Sequence, residues 1–290
     1  MFRGKKSTIK TQKPLRILSN DSSYNDEHVI SSQIAKFNEL INGKGHWHQK
    51  MLKMKALIGS LRGKKALDLG TQIGTYALCL SKESRITVGI DFANMPLKKA
   101  IELREQLNHT NAYFVQGNVK ALPLVDESFD VVIACDIIEY LVDEDLEYML
   151  RESHRTLKDG GNLVLQTYPN KYAYCFMEFK KCSVIPILLF WLPRDLYSKA
   201  IGTYHRGVML ARRLKWKITG QCPKDTHINC QTLESISEFV KSAGFKIEVA
   251  FAENTYSNYE RTAFGKFMGE FLGNNIVTKQ NIYLRAEKVQ

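Results

Sequence analysis

The sequence lacks any uninterrupted run of about 18 apolar residues, the length a helix needs to span a bilayer. Its longest apolar run, Val184–Leu192, is shorter and contains Pro186. We therefore expect no membrane-spanning helix, whereas peripheral membrane contact stays open. Proline is scarce, with 7 in 290 residues, and 44% of the residues are hydrophobic. This composition excludes a collagenous, low-complexity or disordered chain.

The cysteines also lack a recognisable arrangement. There are 6 of them with no Cys-x-x-Cys pair, so neither a zinc site nor a disulfide framework is predicted. No apolar signal-peptide core follows Met1, and the sequence favours a reducing, cytoplasmic location. Residues 1–20 contain Lys and Arg but no acid, which predicts a flexible, solvated basic tail. The alternative interpretation is that this tail is an organelle-targeting segment.

Charge is unevenly distributed along the chain, whose formal net charge is +11. Residues 1–65 and 171–225 are strongly basic, whereas residues 66–170 are acidic. A nucleic-acid-coating protein would carry a basic surface throughout, and no RNA-binding module is recognisable. The pattern instead predicts a catalytic core with basic accessory segments, and nucleic acid is disfavoured as a partner.

Residues 66–170 alternate between strand and helix patterns, which is typical of a parallel sheet covered by helices. A short apolar strand ends at Gly70, and a glycine-containing turn leads into a helix beginning at Thr75. Asp91 follows the second strand about 20 residues later, where an acid accepts hydrogen bonds from both hydroxyls of an adenosine ribose. Together these features predict a nucleotide-type site.

Two nucleotide-type ligands are candidates for binding at this turn. A dinucleotide site uses G-x-G-x-x-G, whereas this turn carries only Gly70 and Gly74 and is preceded by Asp68. A carboxylate suits a positively charged ligand better than a pyrophosphate. S-adenosylmethionine, which carries an ammonium and a sulfonium, is therefore favoured over NAD.

These motifs resemble those of the class I S-adenosylmethionine-dependent methyltransferases. Residues 68–74 (DLGTQIG) are similar to the family's D-x-G-x-G-x-G turn, with Gln72 replacing the middle glycine. Residues 117–119 (GNV) are similar to the adenine-binding segment, with Asn118 where Asp is usual, and residues 135–141 resemble the exit of the fourth strand. The resemblance implies the following cofactor-binding residues: Asp68, Gly70, Thr71, Gly74, Asp91, Phe92, Asn118, Val119, Cys135 and Asp136.

The resemblance and the strand pattern together predict a Rossmann-like, doubly wound, seven-stranded α/β sheet. A helical N-terminal cap precedes the sheet, and an inserted lid follows its fifth strand. The expected organisation is a tail at 1–20, the cap at 21–62, the cofactor-binding core at 63–170, the insert at 171–225 and completion of the sheet at 226–290. In the cap, we expect Trp47 to pack in the core. The resemblance also implies an alternative, in which Trp47 or Tyr24 closes over the cofactor.

Residues 171–225 lie where this family commonly carries acceptor-recognition inserts. The segment 183–217 combines an apolar stretch with a basic one, which predicts either peripheral membrane contact or a lid packed on the sheet. His227 and His205 are the candidate catalytic residues, because an acceptor hydroxyl or acidic carbon needs a base.

The expected activity is methyl transfer to oxygen or carbon of a small-molecule, lipid-linked or glycan acceptor. A non-catalytic binding protein of the same fold and an RNA or protein methyltransferase are the alternatives. The sequence leaves the oligomeric state open.

Overall fold

The computed structural model describes residues 27–170, 229–253 and 281–289, together with positions 192, 193, 196, 199, 200, 203 and 207. The predicted tail, nearly all of the predicted insert, and both His205 and His227 lie outside the described residues. Within the described part, no helix is long and apolar enough to cross a membrane.

A seven-stranded sheet organises the described residues. Its strands are β1 Lys65–Leu69, β2 Ile86–Asp91, β3 Ala112–Gln116, β4 Phe129–Cys135, β5 Leu157–Thr167, β6 Phe245–Glu253 and β7 Asn281–Lys288. Their spatial order is β3-β2-β1-β4-β5-β7-β6. The pairs among β1 to β5 are parallel, whereas β7 runs antiparallel to both β5 and β6. The predicted Rossmann-like sheet is confirmed.

Helices cover this sheet at positions close to those that the sequence predicts. They are α1 Glu27–Ile41, α2 His46–Ile58, α3 Thr75–Ser81, α4 Asn94–Gln106, α5 Asp143–Thr156 and α6 Leu233–Ser242, with a 3-10 turn at Ile138–Tyr140. Local sequence explains several of their ends. Thr232 and Ser235 form a capping box that begins α6, in which each side chain bonds the other residue's backbone N–H. Acids in the first turn of α5 complement the helix dipole.

The hydrophobic core explains why the sequence of β4 is a continuous apolar run. Val131, Val132 and Ile133 are fully buried, because helices cover both faces of this central strand. Met54 of α2 packs with Val131 and Ile133 on one face. On the other face, Leu150 of α5 packs in the same cluster as Val132. Helix α2 of the cap is therefore part of the hydrophobic core.

The fifth strand differs from its predicted bounds. The sequence KDGG at residues 158–161 predicts a turn before a strand beginning at Asn162, but β5 already begins at Leu157. Gly160 has φ 71°, and a Cβ at Gly161 would lie 2.7 Å from the carbonyl oxygen of Lys158. The register against β4 shifts between Phe129 and Val131. The glycines thus form an irregularity within a paired strand rather than a separate turn.

Candidate functional site

The turn after β1 needs glycine for backbone geometry and for close packing. Gly70 has φ 72° and Gly74 has φ 79°, a left-handed conformation that is costly for residues with a Cβ. A Cβ at Gly70 would also lie 2.6 Å from Ile137 Cδ1. The Gly70 and Thr71 N–H groups both donate to the Ile90 carbonyl oxygen, which joins the turn to the neighbouring strand β2. The glycines therefore hold the turn close to the strand ends.

Gln72 adopts a backbone conformation that favours glycine. Its φ is 48°, in the left-handed region where non-glycine residues are uncommon. Its N–H donates to Asp91 Oδ2 over 2.8 Å, so the turn keeps its geometry despite the side chain. The Gln72 backbone thus takes part in the hydrogen bonding of the turn.

We expect Gln72→Gly to be tolerated and to leave affinity for S-adenosylhomocysteine within about threefold of the unchanged protein. Glycine suits φ 48° and removes a side chain without removing the backbone donor to Asp91. Calorimetric titration of both proteins measures the affinity. A loss of more than about tenfold would show instead that the Gln72 side chain contacts the ligand.

Asp68 lies at the end of β1 with only 2% of its surface exposed. Its Oδ2 accepts hydrogen bonds from Thr71 Oγ1 at 2.6 Å and from the Ala77 N–H at 3.2 Å. Burial raises the pKa of Asp68 to about 7, although both hydrogen bonds act to lower it. Through these contacts Asp68 stabilises both the glycine turn and the first helical turn of α3. Its predicted contact with the cofactor stays a prediction.

Asp91 is buried at the carboxyl end of β2 and also supports the turn. Its Oδ2 accepts from the Gln72 N–H, and its Oδ1 accepts from the Ala93 N–H at 2.9 Å. Burial raises the pKa of Asp91, and hydrogen bonds from backbone N–H groups oppose that rise. Each carboxylate oxygen has a second lone pair, so the group retains acceptor capacity for a ribose hydroxyl.

The other predicted cofactor-binding residues, which include the adenine-binding segment, lie around the ends of β2 and β3. Phe92 is 36% exposed and follows Asp91, whereas Val119 is buried. Asn118 is half-buried, and its Oδ1 accepts from the Lys120 N–H over 3.0 Å. That bond orients the amide and leaves a second lone pair on the oxygen, as an adenine amine requires.

An ion pair that the sequence did not reveal lies where β4 ends. Cys135 is buried, and Asp136 follows it with φ 53°. Lys50 of α2 is 1% exposed, and its Nζ lies 2.6 Å from both carboxylate oxygens of Asp136. Burial acts to raise the pKa of Asp136, but Lys50 and Lys36 overcome it and lower that pKa. Asp136 is thus ionised and bound to the cap helix.

Glu139 is the second buried carboxyl group at this end of β4. It is 1% exposed, and Thr167 Oγ1 donates to its Oε2 over 3.0 Å. Burial, followed by the nearby charge of Asp136, raises the pKa of Glu139 to about 8. Glu139 therefore carries a proton at neutral pH.

Glu139→Gln should make stability depend less on pH. The unfolded chain releases this proton near pH 4.5 and the folded chain near pH 8, so the folded state binds more protons in between. The protein accordingly loses stability as pH rises from about 5 to 8, and Gln removes this contribution. Melting temperatures across that range measure the effect. Identical slopes for the variant and the unchanged protein would contradict it, and Glu105→Gln on the exposed surface serves as the control.

The structure brings most of the predicted cofactor residues to one edge of the sheet. The parallel strands β1, β2 and β4 end there, which groups Asp68, Asp91 and Cys135 with the glycine turn. Sequence reasoning missed Lys50 and Lys36 entirely, since neither lies in a motif. It also missed Gln166 of β5, which is fully buried and donates to Asn281 Oδ1 over 3.0 Å.

The residues at this edge fit S-adenosylmethionine. Carboxylate groups attract its ammonium and sulfonium charges, and Asp91 lies where a ribose hydroxyl needs an acceptor. Thr75 Oγ1, at the start of α3, is buried and has no hydrogen-bond partner among the described residues. A polar ligand over the turn would satisfy that hydroxyl. The described residues include no cluster of three His, Cys, Asp or Glu side chains able to hold a metal ion.

The strand order and the glycine turn together define the class I methyltransferase fold, whose cofactor is S-adenosylmethionine. A putative methyltransferase structure from Bacillus halodurans C-125 shares it with a TM-score of 0.56 at 15% identity, covering 83% of this chain and all of that one. Residues 67–165 match the family model described as a methyltransferase domain. This part of the chain is therefore similar to the methyltransferase domains of that family.

Two curated relatives show which enzymes this domain is similar to. The demethylmenaquinone methyltransferase of Lactococcus lactis subsp. lactis is 35% identical over 142 residues, which are 47% of this chain and 54% of that protein. The phosphoethanolamine N-methyltransferase 1 of Triticum aestivum is 30% identical over 113 residues, which are 38% of this chain and 22% of that protein. The chain thus spans about half of the first relative and less of the second.

Proposed function

We propose that the protein transfers a methyl group from S-adenosylmethionine to oxygen or carbon of a small-molecule or lipid-like acceptor. The observation that carries this proposal is the Asp91 carboxylate, which lies at the tip of β2 and is bonded to the glycine turn through the Gln72 N–H. The match of residues 67–165 to a methyltransferase domain supports it. Relatives that are named for a quinone and for a small amine support the small-molecule class of the acceptor.

In this proposal the chain contributes chiefly by positioning. The cofactor supplies an activated methyl group, and the protein's own residues hold the two reactants in line, which is worth about 7–11 kcal/mol in well-oriented models. The glycine turn and Asp91 would hold the cofactor, with Asn118 at its adenine. His227 is proposed as the base for an acceptor proton, because Asn229, two residues later, donates its N–H to the Glu139 carbonyl oxygen at this edge.

Labelled methyl transfer tests the activity. The full chain is incubated with S-adenosylmethionine carrying a labelled methyl group and with reduced demethylmenaquinone, phosphoethanolamine or total RNA. We expect label in a small organic product and none in RNA or protein. Label in a macromolecule would favour the RNA or protein alternative. Cofactor binding without transfer to any acceptor would favour a non-catalytic binding protein.

We further propose that the segment 183–217 contacts a membrane surface that presents a lipid-like acceptor. The support is its sequence, in which the apolar run Val184–Leu192 precedes basic residues at 206–217. Deletion of 183–193 should abolish co-sedimentation with anionic vesicles. Persistent sedimentation would assign the contact to the basic ends of the chain.

A further inference from the structure

Two lysines and a tryptophan from the cap converge beside the carboxyl end of β4. Lys36 of α1 places its Nζ 4.1 Å from the centre of the Trp47 ring, and Lys50 of α2 places its Nζ 4.9 Å from the same centre. We call Lys36, Lys50 and Trp47 the cation cluster. Aromatic faces attract cations, but they do not neutralise them.

The two lysines of the cation cluster differ in their ionic partners. Lys50 is paired with Asp136, whereas Lys36 has no carboxylate partner among the described residues. Burial lowers the pKa of Lys36, and Asp136 only partly offsets this. Glu139 supplies no negative charge at neutral pH, because burial and Asp136 raise its pKa to about 8. Glu39, whose Oε2 accepts from the Trp47 N–H over 3.2 Å, is a further carboxylate beside the cation cluster, but it forms no ion pair with Lys36. The Lys36 ammonium therefore lacks a direct ion pair among the described residues.

The cation cluster lies near the edge of the sheet that an acceptor has to approach. Asp136 directly follows β4, whose end stands beside the glycine turn on β1. His46 Nδ1, beside Trp47, is buried and has no hydrogen-bond partner among the described residues. An ammonium without a counter-ion and an unpartnered ring nitrogen are both polar groups that a ligand would satisfy.

We propose that the acceptor binds as an organic anion, a carboxylate or an ionised hydroxyl, and that the Lys36 ammonium is its counter-ion. This inference rests on the proposed methyl transfer and narrows its substrate class. A carboxylate or an ionised hydroxyl would give the Lys36 ammonium the charge-assisted hydrogen bond that no described residue supplies. The Lys50–Asp136 ion pair holds the cap helix that carries Trp47 in place.

Competition between a charged and an uncharged ligand of the same shape tests the proposal. The probes are 2-naphthoate and 2-naphthamide, titrated calorimetrically into the full chain saturated with S-adenosylhomocysteine. We expect naphthoate to bind roughly tenfold more tightly than the amide, since a charge-assisted hydrogen bond is about twice as strong as a neutral one. Lys36→Gln should reduce that preference to about one, and Lys36→Arg should retain it.

Lys44→Gln is the matched control, because Lys44 is an exposed lysine between α1 and α2. It should keep the full preference for naphthoate. Each variant is first titrated with S-adenosylhomocysteine, and unchanged affinity shows that its fold and cofactor site are intact. Equal affinity for the two probes, absent binding of both, or a preference that survives in Lys36→Gln would overturn the proposal. Failure of the unchanged protein to bind S-adenosylhomocysteine would contradict the proposed function itself.

Discussion

Asp91→Ala should weaken binding of S-adenosylhomocysteine by at least about 30-fold. The substitution removes the carboxylate proposed to accept from the ribose, and hydrogen bonds to charged groups contribute roughly 1.5–3 kcal/mol each. It also leaves the Gln72 and Ala93 N–H groups without their acceptor, which loosens the turn itself. Calorimetric titration of the variant and the unchanged protein measures the loss.

Two further variants separate ligand contact from loss of the turn. Asp91→Asn retains an oxygen that can accept one backbone bond, so it should fall between the unchanged protein and Asp91→Ala. Asp126→Ala removes an exposed carboxylate that pairs with Arg155 and should leave affinity unchanged. If Asp91→Ala binds as tightly as the unchanged protein, the ribose assignment is wrong.

Lys50→Met should lower stability by about 3 kcal/mol, because it leaves Asp136 charged and largely buried without its partner. For a chain of this size, such a loss corresponds to a drop in melting temperature of roughly 6–12 °C. Thermal unfolding followed by circular dichroism measures it. Methionine keeps most of the apolar stem of Lys50, so the effect reports mainly on the charge.

Lys55→Met on the same helix is the matched control. Lys55 pairs with Glu83 at the surface, where an ion pair contributes about 0–1 kcal/mol, so its melting temperature should shift by less than about 3 °C. Adding Asp136→Asn to Lys50→Met should recover part of the lost stability, since the unpaired charge is then absent. Equal shifts for Lys50→Met and Lys55→Met would contradict a buried ion pair.

The sequence predicted the sheet well because its signals are local. The apolar run of β4 and the glycine that follows β1 each specify an element through contacts within a few residues. The pattern predicts strands over residues 112–116 and 129–135 and a helix over 75–81, and these are the bounds of β3, β4 and α3. The start of β5 was missed because a glycine pair reads as a turn even when a neighbouring strand pairs with the residues around it.

The same distinction between local signals and tertiary contacts applies to the candidate site. Asp68, Asp91 and the glycines lie in motifs, and the structure groups them as the motifs predict. The pairing of Lys50 with Asp136 joins residues 86 positions apart, and nothing near Lys50 distinguishes it from the other lysines of α2. Trp47 was expected in the core, but it is half-buried and faces two ammonium groups. Only tertiary packing determines these contacts.

Calorimetric titration of the full chain with S-adenosylhomocysteine is the most direct test of the central claim. A site formed by the glycine turn, Asp91 and Asn118 predicts one ligand bound per chain with a dissociation constant of roughly micromolar order, about −8 kcal/mol. Heat consistent with that stoichiometry would establish the cofactor site despite Gln72. The absence of binding at millimolar ligand would contradict the claim that this chain is a methyltransferase.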